Sequence, residues 1–147
     1  MLEPPRGTET ILLVEDEPLA LELAQCTLQQ LGYEVLACAC ADDALAELAE
    51  HERHIDLLLT DVVMPRINGK ELAERLAPLQ PDMKVLYTSG YGESIIATHG
   101  ILDAEVNFIG KPYTPTALGH KVREVLAAVE QPRNAAALAT GDVKAAG

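Results

Sequence analysis

From residue 10 onward, short apolar runs alternate with longer stretches of helical period, and Pro or Gly marks most of the joins. Residues 10–14 (TILLV) are an apolar run of the kind a buried parallel strand requires. Residues 18–31 read as a helix, with Ala20, Leu23, Ala24, Thr27 and Leu31 on one face and Gly32 as its stop. A second strand is expected over 33–37, a helix over 42–50 and a strongly apolar third strand (IDLLLT) over 55–60. A helix over 68–79, closed off by Pro81, precedes a fourth strand over 83–88. A helix over 93–99 and a short fifth strand over 106–109 follow. The last helix opens at Thr114 as N-cap, with Pro115 at its first position, and runs to about residue 129 through Leu118, Val122 and Val125.

Strands alternating with helices predict right-handed βαβ units and a parallel sheet covered on both faces. Five strands fit a flavodoxin-like (βα)5 fold in the order 2-1-3-4-5. In such sheets, ligands bind beyond the carboxyl ends of the strands, at the switch point between the first and third. The domain is expected over 10–130. Residues 1–9, with Pro4, Pro5 and Gly7, read as a flexible leader or linker. Residues 131–147 are rich in Ala and Gly, have no hydrophobic period and are expected as a disordered tail.

A chain of 147 residues is the size of one domain with a real core, and with one Phe and no Trp that core must be aliphatic. The formal net charge of −12 speaks against nucleic acid as a partner, since phosphate backbones need clustered Lys and Arg. It leaves room for a divalent cation or a basic protein surface. Cys26, Cys38 and Cys40 form no CxxC pair and suit a reducing compartment. The N-terminus lacks an apolar signal core, and no stretch approaches the ~20 apolar residues that span a bilayer. A cytoplasmic setting without direct membrane contact is the expectation.

Those strand ends carry chemistry. Glu15 and Asp16 follow the first strand, Asp61 the third, Ser89 the fourth and Lys111 the fifth. Taken singly, each has an ordinary reading. A strand-end Asp caps or turns, a Glu-Asp-Glu run favours a helix N-terminus, and Ser89 before Gly90 is turn chemistry. Together they bring three carboxylates, a hydroxyl and an ammonium to one volume, which is costly unless a cation neutralises the charge. Hard oxygen ligands suit Mg²⁺. With an ammonium and a hydroxyl beside it, a carboxylate there suits phosphoryl transfer through an acyl phosphate. His51 and His54 read as surface residues rather than as a metal pair.

The segments ILLVEDEP, LLLTDVVMPRINGKEL (with its D-x-x-M-P-x-x-x-G pattern), VLYTSGY and NFIGKPY resemble, in order and spacing, the receiver domains of two-component signalling. The likeness covers residues 10–129. It implies Asp61 as phosphoacceptor, Asp16 as a direct Mg²⁺ ligand and Glu15 as one acting through water, with the Val63 carbonyl as a further ligand. It implies Ser89 as the hydroxyl that follows the phosphoryl group, Lys111 as its cationic partner, Phe108 as the aromatic that moves with Ser89, and a cis bond before Pro112. Val63 and Tyr91 stand where the family sets its dephosphorylation rate, and this pair implies a long-lived phosphoryl state. The acidic pair is Glu-Asp rather than the commoner Asp-Asp, and Phe108 replaces a Tyr.

PRGTETILLVEDEP, YTSGY and HGILDAEVNFIGKPYTPTAL resemble receivers at the C-terminal end of hybrid sensor histidine kinases. The implied partner is a histidine kinase or histidine phosphotransfer domain, with Leu21 and Leu28 as candidates for its docking patch. A homodimer could use the face of the helix over 93–99, the fifth strand and the last helix. A free-standing single-domain regulator is the alternative. An Asp-nucleophile phosphatase fits less well, because it needs a second Asp where Val63 stands, and a cap domain.

Overall fold

The computed structural model describes residues 5–89 and 107–128. Strand β1 (Thr10–Val14) leads into helix α1 (Pro18–Gln30), then β2 (Glu34–Cys38), α2 (Ala41–Glu50) and β3 (Leu57–Asp61). Helix α3 (Gly69–Leu76), strands β4 (Lys84–Ser89) and β5 (Phe108–Gly110) and helix α4 (Pro115–Ala127) complete the described elements. All strand pairs are parallel and the sheet order is β2-β1-β3-β4-β5, the flavodoxin-like order expected. The helix expected over 93–99, Val106, Tyr91 and the tail over 131–147 lie outside the described residues, as does the Ser89 side chain.

Alternation along the strands builds two cores. Leu12, Val14, Leu58, Val85 and Tyr87 face α2 and α3, joined by Leu48, Leu72 and Leu76. Ile11, Leu13, Leu57, Leu59 and Leu86 face α1 and α4, joined by Leu28, Leu118, Val122 and Val125. Because both faces are covered, the central strands read as unbroken apolar runs.

Several boundaries move by a residue or two for local reasons. Tyr33 belongs to the turn after α1, because its N–H bonds the Leu28 carbonyl at 3.2 Å while Gly32 takes φ +104°. β2 therefore starts at Glu34. The N-cap at Thr114 forms as expected, its side chain accepting the Ala117 N–H at 3.0 Å. Asn68 caps α3 from outside, accepting the Glu71 N–H at 2.7 Å.

The buried face of α1 is rotated from the expected one. Leu28 and Ala24 are buried, and Leu21 and Leu31 pack against the same core, whereas Leu23 is 61% exposed and Leu19 62%. Leu28 thus belongs to the core and offers no docking surface, while Leu21 is partly buried at the edge of the same core. The first two turns are apolar almost all round, so they leave the phase of the helix open. Leu28, flanked by Thr27 and Gln29, is the residue that fixes it.

Before β1, residues 5–9 are tied to the domain. The Gly7 N–H donates to the Leu31 carbonyl at 3.0 Å, and the Glu9 carbonyl accepts the Glu34 N–H at 3.0 Å. Arg123 on α4 grips the Glu9 carboxylate with both terminal nitrogens, at 2.6 and 3.1 Å. At the far end of α4, the Lys84 ammonium donates to the carbonyls of Leu126 and Ala128. No helix among the described residues is long and apolar enough to cross a membrane.

Candidate functional site

At the carboxyl edge of the sheet, β1 ends against Glu15 and β3 ends in Asp61, and the sheet's parallel register brings both to one height. Both are buried, at 5% and 6% exposure, while Asp16 beside them is open to solvent. Carboxylate oxygens of Glu15, Asp16 and Asp61 lie within 4.8 Å of one another. No other group of three potential metal-binding side chains occurs among the described residues. His51 is exposed beside Glu47 and Glu50, and His54 lies 3.0 Å from Asp56.

Lys111 reaches into this cluster from the loop after β5. Its ammonium donates to Glu15 Oε1 at 2.8 Å and lies 3.1 and 3.2 Å from the two Asp61 oxygens. The peptide bond from Lys111 to Pro112 is cis. Burial of the ammonium opposes its charge, yet the hydrogen bonds and charges of Glu15 and Asp61 prevail and hold Lys111 above the usual lysine range. Burial pushes Glu15 up to about 7, and the Asp61 carboxylate adds to this against the pull of Lys111. The remaining Glu15 oxygen accepts the Glu17 N–H at 3.1 Å.

The loop leaving β3 is shaped around Asp61. The Gly69 N–H donates to the Val62 carbonyl at 2.8 Å, so the start of α3 folds back over the strand end. A Cβ at Gly69 would collide with the Asp61 carbonyl oxygen, and only glycine permits that approach. Between them, Arg66 takes φ +72° and pairs with Asp42 on α2 at 2.9 Å. Val63 stands in this loop with its side chain 55% exposed.

One polar partner escapes a reading of the sequence. Thr88, 4% exposed, donates from Oγ1 to Asp61 Oδ1 at 2.9 Å. Its register with Asp61 across β3 and β4 makes the contact possible, and a polar residue late in an apolar strand was its only signal. Ser89 follows it, paired through its backbone register with Gly110. Phe108 on β5 is half-buried and packs against the core on the α2 and α3 side.

Beside the cluster, Ala20, Leu23, Thr27, Pro112, Tyr113 and Pro115, together with Lys111, line an apolar groove of about 480 Å³. The exposure of Leu23 is explained by this groove, which runs between α1 and the start of α4.

The donor set fits a hard divalent cation. Three carboxylates converge with only one ammonium among them, and every ligand atom is oxygen. The same edge of the sheet that carries the acid cluster thus carries a cation partner and a buried hydroxyl.

Comparison with known proteins gives a consistent picture. The sequence profile described as the response regulator receiver domain matches residues 11–123. The chain is 36% identical over 120 residues to the sensor kinase CckA of Brucella abortus (strain 2308), covering 82% of this chain and 13% of that protein. It is 29% identical over 118 residues to the response regulator receiver protein CpdR of the same strain, covering 80% of this chain and 97% of that one. The crystal structure of the receiver domain from the hybrid histidine kinase CckA superposes with a TM-score of 0.66 at 33% identity, covering 80% of this chain and 98% of that chain.

Proposed function

Because the chain belongs to the response regulator receiver domain family, we propose that Asp61 accepts a phosphoryl group from a phosphohistidine and that this switches the domain between two conformations. The observation that carries this reading is Lys111 bridging Glu15 and Asp61 at hydrogen-bond distance beside a buried hydroxyl.

The step is a displacement at phosphorus. An Asp61 carboxylate oxygen attacks, the P–N bond to the donor imidazole breaks, and its electron pair leaves with the ring. Lys111, already against both Asp61 oxygens, moves its donors onto the incoming phosphoryl oxygens. Glu15, Asp16, Asp61 and the Val63 carbonyl would hold Mg²⁺, which when bound supplies positive charge to those oxygens. Ser89 takes the hydroxyl role that the family implies, and Phe108 the readout. Water later attacks the acyl phosphate, releases inorganic phosphate and restores the carboxylate. An apolar Val63 and a bulky Tyr91 give little help in positioning that water, so the phosphoryl state persists well beyond seconds.

A histidine-bearing donor would dock on the apolar groove of Ala20, Leu23 and Pro112, which Lys111 also lines. The likeness to a sensor kinase supports placing this receiver in a hybrid kinase, tethered in the cytoplasm. The likeness to CpdR, a response regulator receiver protein, supports a free-standing regulator as the second reading.

The test is incubation with Mg²⁺ and acetyl phosphate, followed by intact-mass measurement. One phosphoryl group should add to the wild type and none to Asp61→Asn. Equal labelling of the two proteins would remove Asp61 from the reaction.

A further inference from the structure

Thr88 is a buried polar side chain at a point where β4 could have been apolar throughout, and it is tied to Asp61 twice. Its hydroxyl donates to Asp61 Oδ1 at 2.9 Å, and its carbonyl accepts the N–H of Val62, the next residue along from Asp61, also at 2.9 Å. The Lys111 ammonium, the donor that moves to the phosphoryl oxygens on transfer, lies 3.1 Å from Oδ1 and donates a hydrogen bond to Oδ2 at 3.2 Å. The Thr88 hydroxyl bonds Oδ1 only. The terminal torsion of an aspartate is broad and nearly two-fold, so a donor on one oxygen selects its rotation.

We propose that Thr88 is a positioning residue for phosphoryl transfer, holding the Asp61 carboxylate in one rotation by occupying Oδ1 and leaving Oδ2 to meet phosphorus. This rests on the reading of Asp61 as phosphoacceptor and adds a residue to it. Ser89 keeps a separate task on the phosphoryl group, and the two hydroxyls divide the work between nucleophile and moving group.

Valine has nearly the shape of threonine without its hydroxyl, and serine has the hydroxyl without the methyl. The two substitutions therefore separate positioning from packing. With the full chain, saturating Mg²⁺ and acetyl phosphate, the rate of phosphoprotein formation is followed by intact mass. Here the P–O bond to acetate breaks as Asp61 attacks. Thr88→Val should slow the rate about tenfold, the size of one charge-assisted hydrogen bond. Thr88→Ser should stay within about twofold of wild type.

Fluorine spectra of the Mg²⁺–beryllofluoride complex supply a second readout. The resonances of Thr88→Val should be displaced from those of the wild type, while those of Thr88→Ser overlay them. A Thr88→Val rate within about twofold of wild type, or a Thr88→Ser rate as slow as that of Thr88→Val, overturns the proposal. If Thr88→Val fails to fold, the serine variant still decides, since a tenfold loss there would assign Thr88 to packing through its methyl. Labelling of Asp61→Asn is the separate result that defeats the phosphoacceptor reading, and the Thr88 assignment then falls with it.

Discussion

Glu15 and Lys111, 96 positions apart in the chain, meet at 2.8 Å and join the end of β1 to the loop after β5. Glu15 is held protonated to about pH 7, mainly by burial, above the ordinary carboxylate value of 4.5. Between those two values the folded state binds a proton that the unfolded chain has lost. Stability of the metal-free protein therefore falls as pH rises through this window. Glu15→Gln lacks this linkage. Urea midpoints without divalent ions should show wild type losing ground to Glu15→Gln from about pH 5 to about pH 8. Parallel pH profiles for the two proteins would contradict the assignment. Millimolar Mg²⁺ should narrow the gap at the alkaline end, because the site would then hold a cation.

Two leucines on α1 separate fold from docking. Leu28 is fully buried, so Leu28→Ala should cost about 2–5 kcal/mol. Leu23 is 61% exposed in the groove beside Lys111, so Leu23→Ala should change stability by no more than about 0.5 kcal/mol. It should slow transfer from a phosphohistidine donor and leave labelling by acetyl phosphate intact. Loss of both reactions together would place Leu23 in the chemistry rather than in recognition.

Gly69 gives a sharper local test. A side chain there meets the Asp61 carbonyl, and backbone has little room to yield. Gly69→Ala should destabilise by about 1–3 kcal/mol. Even where the variant folds, labelling of Asp61 should slow, because the strand end that aims the carboxylate must shift. An Ala variant with wild-type midpoint and rate would show that the loop relaxes without cost.

Arg123 holds the Glu9 carboxyl below its ordinary value, chiefly through their hydrogen bonds. A depressed carboxylate stabilises the fold fully above 4.5, and the contribution is lost as pH falls through the lowered folded value. Both side chains are about a quarter exposed, so solvent screens the pair. Arg123→Gln should cost no more than about 1 kcal/mol at neutral pH. The deficit should shrink as pH falls below 4.5, as read from urea midpoints of the two proteins at neutral and acid pH. A deficit that stays constant in acid would assign it to packing of the Arg stem.

The sequence made the sheet order and the acid cluster legible because both depend on strand ends, which apolar runs such as LLLTD mark plainly. Asp61, Glu15, Asp16 and Lys111 meet where strand ends converge. The phase of α1 was not legible, since Leu19, Ala20, Leu21, Leu23 and Ala24 give a helix two plausible apolar faces. Packing against β1 and α4 chooses between them. Thr88 escaped because strand alternation predicts the face of a side chain and not its neighbour on the next strand. Its contact with Asp61 depends on the register of β3 and β4.

Gly7, Glu9 and Tyr33 have one more consequence. The family match opens at residue 11, yet hydrogen bonds from Gly7 to Leu31 and from Arg123 to Glu9 and Tyr33 lie before or across that border. An excision guided by homology would cut through this seam, strand a guanidinium on α4 and expose the ring edge of Tyr33. The hydrogen-bonded body of the domain starts several residues ahead of the family profile.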